Sequence, residues 1–350
     1  MSFIPSSPAP VAANELEIHS ERCVISSGMF WNDRDGSAII TPMSDISRFE
    51  HRELGLVAWH RTFEAAKAEA QKAGKPIFLL FQEVPGCATC VNFGSGVLGN
   101  PLLAALIQDQ FVPLAIFNNR QGHDAAVLKR FGEPSWNNPV VYLLGQNEER
   151  LTERLADCYD GLTLYDTITQ VLQRLLKPLP AYADVLRNDL VVESGLSKTL
   201  YFTTPCFWSG ETSLAQHDAV FTTEAGWVDG EEVVQVSCDR NPSHVRSLTE
   251  FAHNEGFAPI NGHHFHFERD DVPQYYLSKT PFARLPLTRG QRTKINLAIP
   301  YRNRPEQFLS PPQQEWLTRR DIVEKLPPTT YQKDPKEVWA RLLKLGTAER

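Results

Sequence analysis

Five apolar residues in a row, Ile77-Phe78-Leu79-Leu80-Phe81, constrain the chain more than any other stretch. A half-exposed strand alternates apolar and polar positions, whereas a run apolar at every position needs cover on both faces. Such a strand belongs inside a sheet layered between helices. Phe111 to Phe117 and Val140 to Leu144 have the same character, so two further strands are expected beside it. The spacing predicts a helix over Ala58 to Ala73, built of strong helix formers and stopped at Gly74, and another over Asp124 to Phe131. Leu162 to Leu176 reads as a closing helix with Leu164, Ile168, Val171, Leu172 and Leu175 on one face. Lys177-Pro178-Leu179-Pro180 breaks it, and a domain boundary is expected there.

The residues after the first buried strand carry chemistry. Val84-Pro85-Gly86-Cys87-Ala88-Thr89-Cys90 places two cysteines just before a helix-compatible stretch. In a β-α-β setting this C-x-x-C is the arrangement of a redox dithiol. The first cysteine sits at a helix start, where the positive dipole end favours a thiolate. The second is one turn away, within reach of a disulfide. The same pair could be half of a zinc site, but a structural site wants four ligands and Cys158 is the sole further thiol in this half. No metal is expected on that count. Six cysteines in 350 residues are too few for a disulfide framework, which points to a reducing, cytoplasmic setting. A net charge of -7 gives no electrostatic case for nucleic acid or an anionic membrane as partner. No apolar run approaches the roughly 20 residues of a membrane span. No phosphate loop or glycine fingerprint for a cofactor appears, so reducing power is expected from a protein or small-thiol reductant.

From about Trp59 to Leu176 the chain resembles the thioredoxin fold, in its divergent type carrying Val-Pro-Gly-Cys. The resemblance implies that Cys87 attacks and Cys90 resolves. It also implies a cis Asn138–Pro139 bond beside the dithiol. The tryptophan usual before the first cysteine and the Gly-Pro usual between the two are absent, which leaves the redox potential open.

A second thiol lies among aromatics. The β-prone run Thr199 to Thr204 leads into Pro205-Cys206-Phe207-Trp208-Ser209-Gly210-Glu211. A strand that delivers a thiol to a helix start makes a reactive thiolate. Phe and Trp faces suit a small polarisable group such as a methyl on sulfur. A buried core cysteine is the plain alternative. Val220 to Trp227 and Glu232 to Val236 read as strands joined by the turn Val228-Asp229-Gly230-Glu231, and Asp271 to Leu277 adds an acid and a tyrosine pair. Together these segments resemble the A-type peptide methionine sulfoxide reductases, whose signature is Gly-Cys-Phe-Trp. By that resemblance Cys206 is the nucleophile, and Phe207 and Trp208 hold the methyl group. Glu232 is the acid that meets the sulfoxide oxygen, and Trp227, Asp271 and Tyr276 complete the substrate site. Pro205, Trp227 and Pro273 stand where the family has Gly, Tyr and His, and the loop before Glu232 is short.

The chemistry calls for such a set. Thiolate attack on a sulfoxide sulfur needs an acid for the departing oxygen, and a protonated glutamate buried among aromatics would serve. The sulfenic acid left on Cys206 condenses with a second thiol. Cys238 reads as a core residue, which makes Cys87 in the same chain the economical recycling thiol, at the effective concentration that tethering supplies. His263, His264 and His266 are spaced so that no regular strand or helix brings all three to one metal.

The expected organisation is α/β: a thioredoxin-like fold over residues 51–180, followed by an α+β methionine sulfoxide reductase-like domain over 181–318. Residues 1–50 form an extension expected to be partly disordered, and 319–350 a helical tail. The expected activity is reduction of methionine-S-sulfoxide, on an oxidised protein or a small methyl sulfoxide, with electrons relayed by Cys87 and Cys90. Two alternatives stand beside it. One is a thiol–disulfide oxidoreductase whose second domain binds substrate without catalysis, and the other is a redox-sensing scaffold without turnover.

Overall fold

The computed structural model describes residues 51–136, 139–268 and 272–348, together with 29–31 and 38–40; for those two short segments and for 345–348 the backbone alone is described. Two compact units are present, residues 1–44 and 45–350. In the first, Met29–Trp31 (β1) pairs antiparallel with Ala38–Ile40 (β2).

The second unit begins with Phe63–Ala73 (α1), Ile77–Gln82 (β3), Ala88–Asn92 (α2), Pro101–Gln110 (α3) and Val112–Phe117 (β4). His123–Phe131 (α4), Val140–Leu144 (β5), Leu155–Ala156 (β6), Gly161–Arg174 (α5) and Ala181–Glu193 (α6) follow. The sheet order is β4-β3-β5-β6, with β3 and β4 parallel and the other pairs antiparallel. The three apolar runs behave as their patterning requires. Phe78 and Leu80 face one apolar cluster together with Ala115, Phe117, Val141 and Leu143. Ile77, Leu79 and Phe81 face the other with Val112, Leu114, Ile116, Val140, Tyr142 and Leu144. Every residue of β3 is buried, and each large apolar side chain contributes about 1.5–3 kcal/mol by leaving water.

Two local expectations yield to tertiary contacts. The helix predicted from Ala58 starts at Phe63, because the residues before it are extended: His60 bridges Leu114 on β4, and the Trp59 indole N–H donates to the Leu54 carbonyl at 2.9 Å. Burying Trp59 beside the sheet outweighs the helix preference of the alanines. Leu175, expected on the apolar face, lies beyond the last turn of α5 and is 39% exposed.

Ser197–Thr203 (β7), Phe207–Leu214 (α7), Val220–Val228 (β8), Glu231–Asp239 (β9), Pro242–Asn254 (α8) and Ala258–Pro259 (β10) build a second, antiparallel sheet of order β10-β7-β9-β8. Asp229 and Gly230 both adopt positive φ, 51° and 85°, in the two-residue hairpin between β8 and β9. That turn matches the twist of the strands and sets Trp227 directly opposite Glu232. Phe202, Phe207, Leu214, Val234, Val236 and Cys238 form this sheet's own core.

Tyr275–Ser278 (α9), Arg289–Ala298 (α10), Pro311–Thr318 (α11), Arg320–Val323 (α12) and Pro335–Ala348 (α13) complete the unit. The apolar cluster on one face of the first sheet runs on past Pro178 and Pro180. It takes in Tyr182, Leu186 and Leu190 of α6, Leu277, Leu285, Ile295 and Trp316, and the tail residues Trp339 and Leu342. Trp316 and Trp339 meet edge to face at 4.8 Å. The tail therefore packs against the first sheet's helices.

Candidate functional site

The buried strand β3 ends at Gln82, and the loop that follows delivers the dithiol. Cys87 is exposed at the N-cap of α2, while Cys90 is fully buried one turn on. Their sulfur atoms and a carboxylate oxygen of Glu83 all lie within 4.8 Å of one another. The two thiols are electrostatically unlike. The backbone N–H of Cys90 donates to Cys87 and holds its thiol below the usual range, whereas burial pushes the Cys90 thiol up to about 12. An exposed thiol with a stabilised anion backed by a buried neutral one can attack a disulfide and then be released.

The loop is held by side chains from three other places. Buried Glu53 accepts from the Gly86 N–H at 2.8 Å. Gln82 donates to the carbonyl oxygens of Glu53 and Cys90. Asn119 accepts from Val84 N–H at 3.2 Å and donates to the Pro85 carbonyl at 3.1 Å. Tyr159, 42% exposed, lies near enough to both sulfurs for their charge to raise its phenol, after the larger effects of burial and of Asp157. A cis peptide bond occurs at Val84–Pro85; the predicted cis Asn138–Pro139 bond lies outside the described residues.

Gly86 leaves no room for a side chain. A Cβ there would stand 2.4 Å from the Glu83 carbonyl oxygen and 2.6 Å from the Cys90 Cβ. Gly86→Ala is therefore expected to cost about 1–3 kcal/mol of stability through overpacking, read by denaturant unfolding of the reduced protein. It should also slow disulfide exchange, because the displaced atoms belong to the dithiol.

Cys206 is half-buried at the N-cap of α7. The next N–H, of Phe207, donates to a carboxylate oxygen of Glu232 at 2.7 Å, which ties β9 to the start of the helix beside the thiol. Phe207 meets Trp208 at 5.7 Å and Trp227 at 5.6 Å, both edge to face. An open cleft of about 370 Å³ at Glu232 is lined by Thr203, Thr204, Pro205, Glu231, Glu232 and Gly256. Cys206, Glu232, Phe207, Trp208 and Trp227 are thus brought together. Of the tyrosine pair, Tyr275 stacks on Trp208 at 4.5 Å and 25°, and Tyr276 lies one ring further out. Asp271 lies outside the described residues.

The deeply buried carboxylate expected at Glu232 is found elsewhere. Glu232 is half-buried, with its carboxylate engaged at the helix start, and among the described residues Glu211 is the acid with no exposure at all. Its oxygens accept from Ala225 N–H at 3.2 Å, Gln274 N–H at 2.8 Å and the Gln274 side-chain amide at 3.0 Å. Burial nevertheless pushes its carboxyl up to about 8. Glu211 shares one helical stripe with Phe207, Gly210 and Leu214, all buried, and that spacing was the signal available in the sequence. Cys238 is fully buried in the second core, and burial pushes its thiol up to about 11.

A family described as thioredoxin-like matches residues 58–145, which contain β3, the dithiol, β4 and β5. This stretch is a thioredoxin-like domain. Among solved structures, the chain is similar to a thioredoxin from Thermus thermophilus, at 21% identity and a TM-score of 0.28, over 32% of this chain and 84% of that one. It is also similar to a DsbH oxidoreductase, at 13% identity and a TM-score of 0.29, over 33% of this chain and 85% of that one. No curated protein matches the chain.

Proposed function

We propose that this protein is a thiol–disulfide oxidoreductase that works through Cys87 and Cys90 with protein or small-thiol partners. The observation that carries the reading is the asymmetry of the pair: an exposed thiol held low beside a buried thiol held high, in a loop fixed from three sides. Cys87 thiolate attacks a partner disulfide and releases one partner thiol. Cys90 then loses its proton and displaces the second, leaving a Cys87–Cys90 disulfide. Equilibration in graded thiol–disulfide buffers, followed by alkylation and mapping, tests this. A single two-electron transition at these two residues is expected. Oxidation that never joins Cys87 to Cys90 would sink the reading.

The setting of Cys206 supports a second reading, reduction of methionine-S-sulfoxide in the second half. A half-buried thiol at a helix start, followed in the chain by Phe207 whose ring meets Trp208 and Trp227, with the Glu232 carboxylate on the adjacent N–H, offers a nucleophile, an apolar seat and an acid. Attack on the sulfoxide sulfur, with one proton, gives the thioether and a sulfenic acid on Cys206. Condensation with Cys87 releases water, and Cys90 then frees Cys206 as a thiol. Each diastereomer of a blocked methionine sulfoxide, reduced with dithiothreitol, provides the assay. Turnover of the S form by the native chain and not by Cys206→Ser is expected, and equal turnover by both would remove Cys206 from the chemistry.

A further inference from the structure

We propose that the reduced dithiol and Glu83 together form a binding site for a thiophilic divalent cation of the zinc class. A C-x-x-C alone supplies two ligands, and the sequence offers no second cysteine pair to close a four-ligand site. The fold supplies the third ligand from the end of the strand that precedes the loop. A carboxylate oxygen of Glu83 and the sulfurs of Cys87 and Cys90 lie within 4.8 Å of one another.

The distances suit the ion. Zinc binds sulfur at about 2.3 Å and carboxylate oxygen at about 2.0–2.2 Å in a tetrahedron, which sets ligand atoms about 3.5–3.8 Å apart. Separations of at most 4.8 Å require each atom to move inward by no more than roughly 0.6 Å. Cys90 is fixed by burial, while Cys87 is exposed and Glu83 half-buried, so the two outer ligands can rotate onto the ion. The backbone between them is held by Glu53, Gln82 and Asn119, which keeps the ligand positions together before any ion arrives. Two thiolates and one carboxylate favour zinc and its soft relatives over magnesium or calcium. Three protein ligands leave a fourth position open on the exposed Cys87 side for water or an added thiolate.

Binding consumes no electrons: the cation joins two thiolates and a carboxylate, and any thiol protons pass to the buffer. Oxidation to the Cys87–Cys90 disulfide removes both sulfur ligands, so cation and oxidant compete for the same reduced form. The site would then be a brake on the dithiol. The inference does not rest on which substrate the dithiol serves, because cation binding is read directly.

Cadmium is the probe, since its thiolate complexes absorb in the ultraviolet. The full chain, reduced with a phosphine and freed of reductant, is titrated beside its oxidised form. One cadmium per chain is expected in the reduced protein, with the band absent after oxidation and in Cys90→Ser. Cys158→Ser should bind as the native chain does. Glu83→Gln should weaken binding about tenfold or more, and Glu83→His, which restores a ligand, should recover it. Far-ultraviolet circular dichroism checks that each variant is folded. Unchanged affinity in Glu83→Gln would overturn the three-ligand site, and a band that survives oxidation would assign binding to the other thiols.

Discussion

Cys87→Ser should lower the rate of disulfide reduction by about a thousandfold or more, while Cys90→Ser should leave a protein that still attacks but stalls as a mixed disulfide. The difference follows from placement. Cys87 is the exposed thiol and carries the stabilised anion, so losing it removes the attacking atom, and enzymes stripped of a nucleophile lose activity on this scale. Cys90 is buried and held as a thiol until a partner is bound, so its loss spares the first step. The pH dependence has a definite sign. The pKa of Cys87 is lowered, so its alkylation rate should rise with pH and level off below the range of an ordinary thiol. Cys90, pushed up to about 12, should alkylate slowly throughout. Iodoacetamide labelling of the metal-free reduced protein, followed by peptide mapping, reads both curves. A Cys87 curve that levels off at or above the ordinary thiol range would contradict the assignment of that thiol as the attacking group.

What the sequence disclosed and what it hid divide along one physical line. Ile77 to Phe81, Val112 to Phe117 and Val140 to Leu144 announced themselves because a strand covered on both faces must be apolar at every position, and the structure splits each run between two cores. The dithiol announced itself by spacing alone. Glu53, Asn119 and Tyr159 did not, because they reach the loop from distant chain positions, and neither did Gln82, whose hydrogen bonds from the strand end follow no local pattern. The Ala58-Trp59-His60 segment is extended for the same cause, since the helix preference around it is overruled by the bridge of His60 to β4. In the second half the strands, hairpin and aromatic cluster were legible. The acid was only half legible. Glu232 was marked by the family resemblance, but Glu211, which has no exposure, stood only on a buried helical stripe, where a single acid ordinarily turns to a solvated face.

Glu211→Ala should cost roughly 3–5 kcal/mol of folding stability, a large share of what a domain usually has. The substitution strands the Ala225 and Gln274 N–H groups in the interior and leaves a void where the carboxylate was. The Gln274 amide also donates to the Thr223 carbonyl at 2.9 Å, so it keeps one partner while losing the other. Glu211 should also govern how stability varies with pH. Burial and the nearby Glu224 raise its carboxyl from 4.5 to about 8, against the N–H donors and Arg292, which lower it. A carboxyl raised in the folded state favours folding fully below its unfolded pKa and loses that advantage as pH climbs through its folded value. Stability should therefore decline between about pH 4.5 and 8, by up to about 5 kcal/mol from this group. Urea unfolding at several pH values across that window, compared with Glu211→Gln, isolates the effect. The variant's curve should be flatter, and identical slopes would remove Glu211 as the cause. The consequence reaches the second thiol's surroundings. Gln274, held on Glu211 in a left-handed conformation with φ 52°, precedes the Tyr275 that stacks on Trp208. Releasing it should loosen that stack and alter tryptophan fluorescence in the folded variant, a change that a purely local loss at Glu211 would not produce.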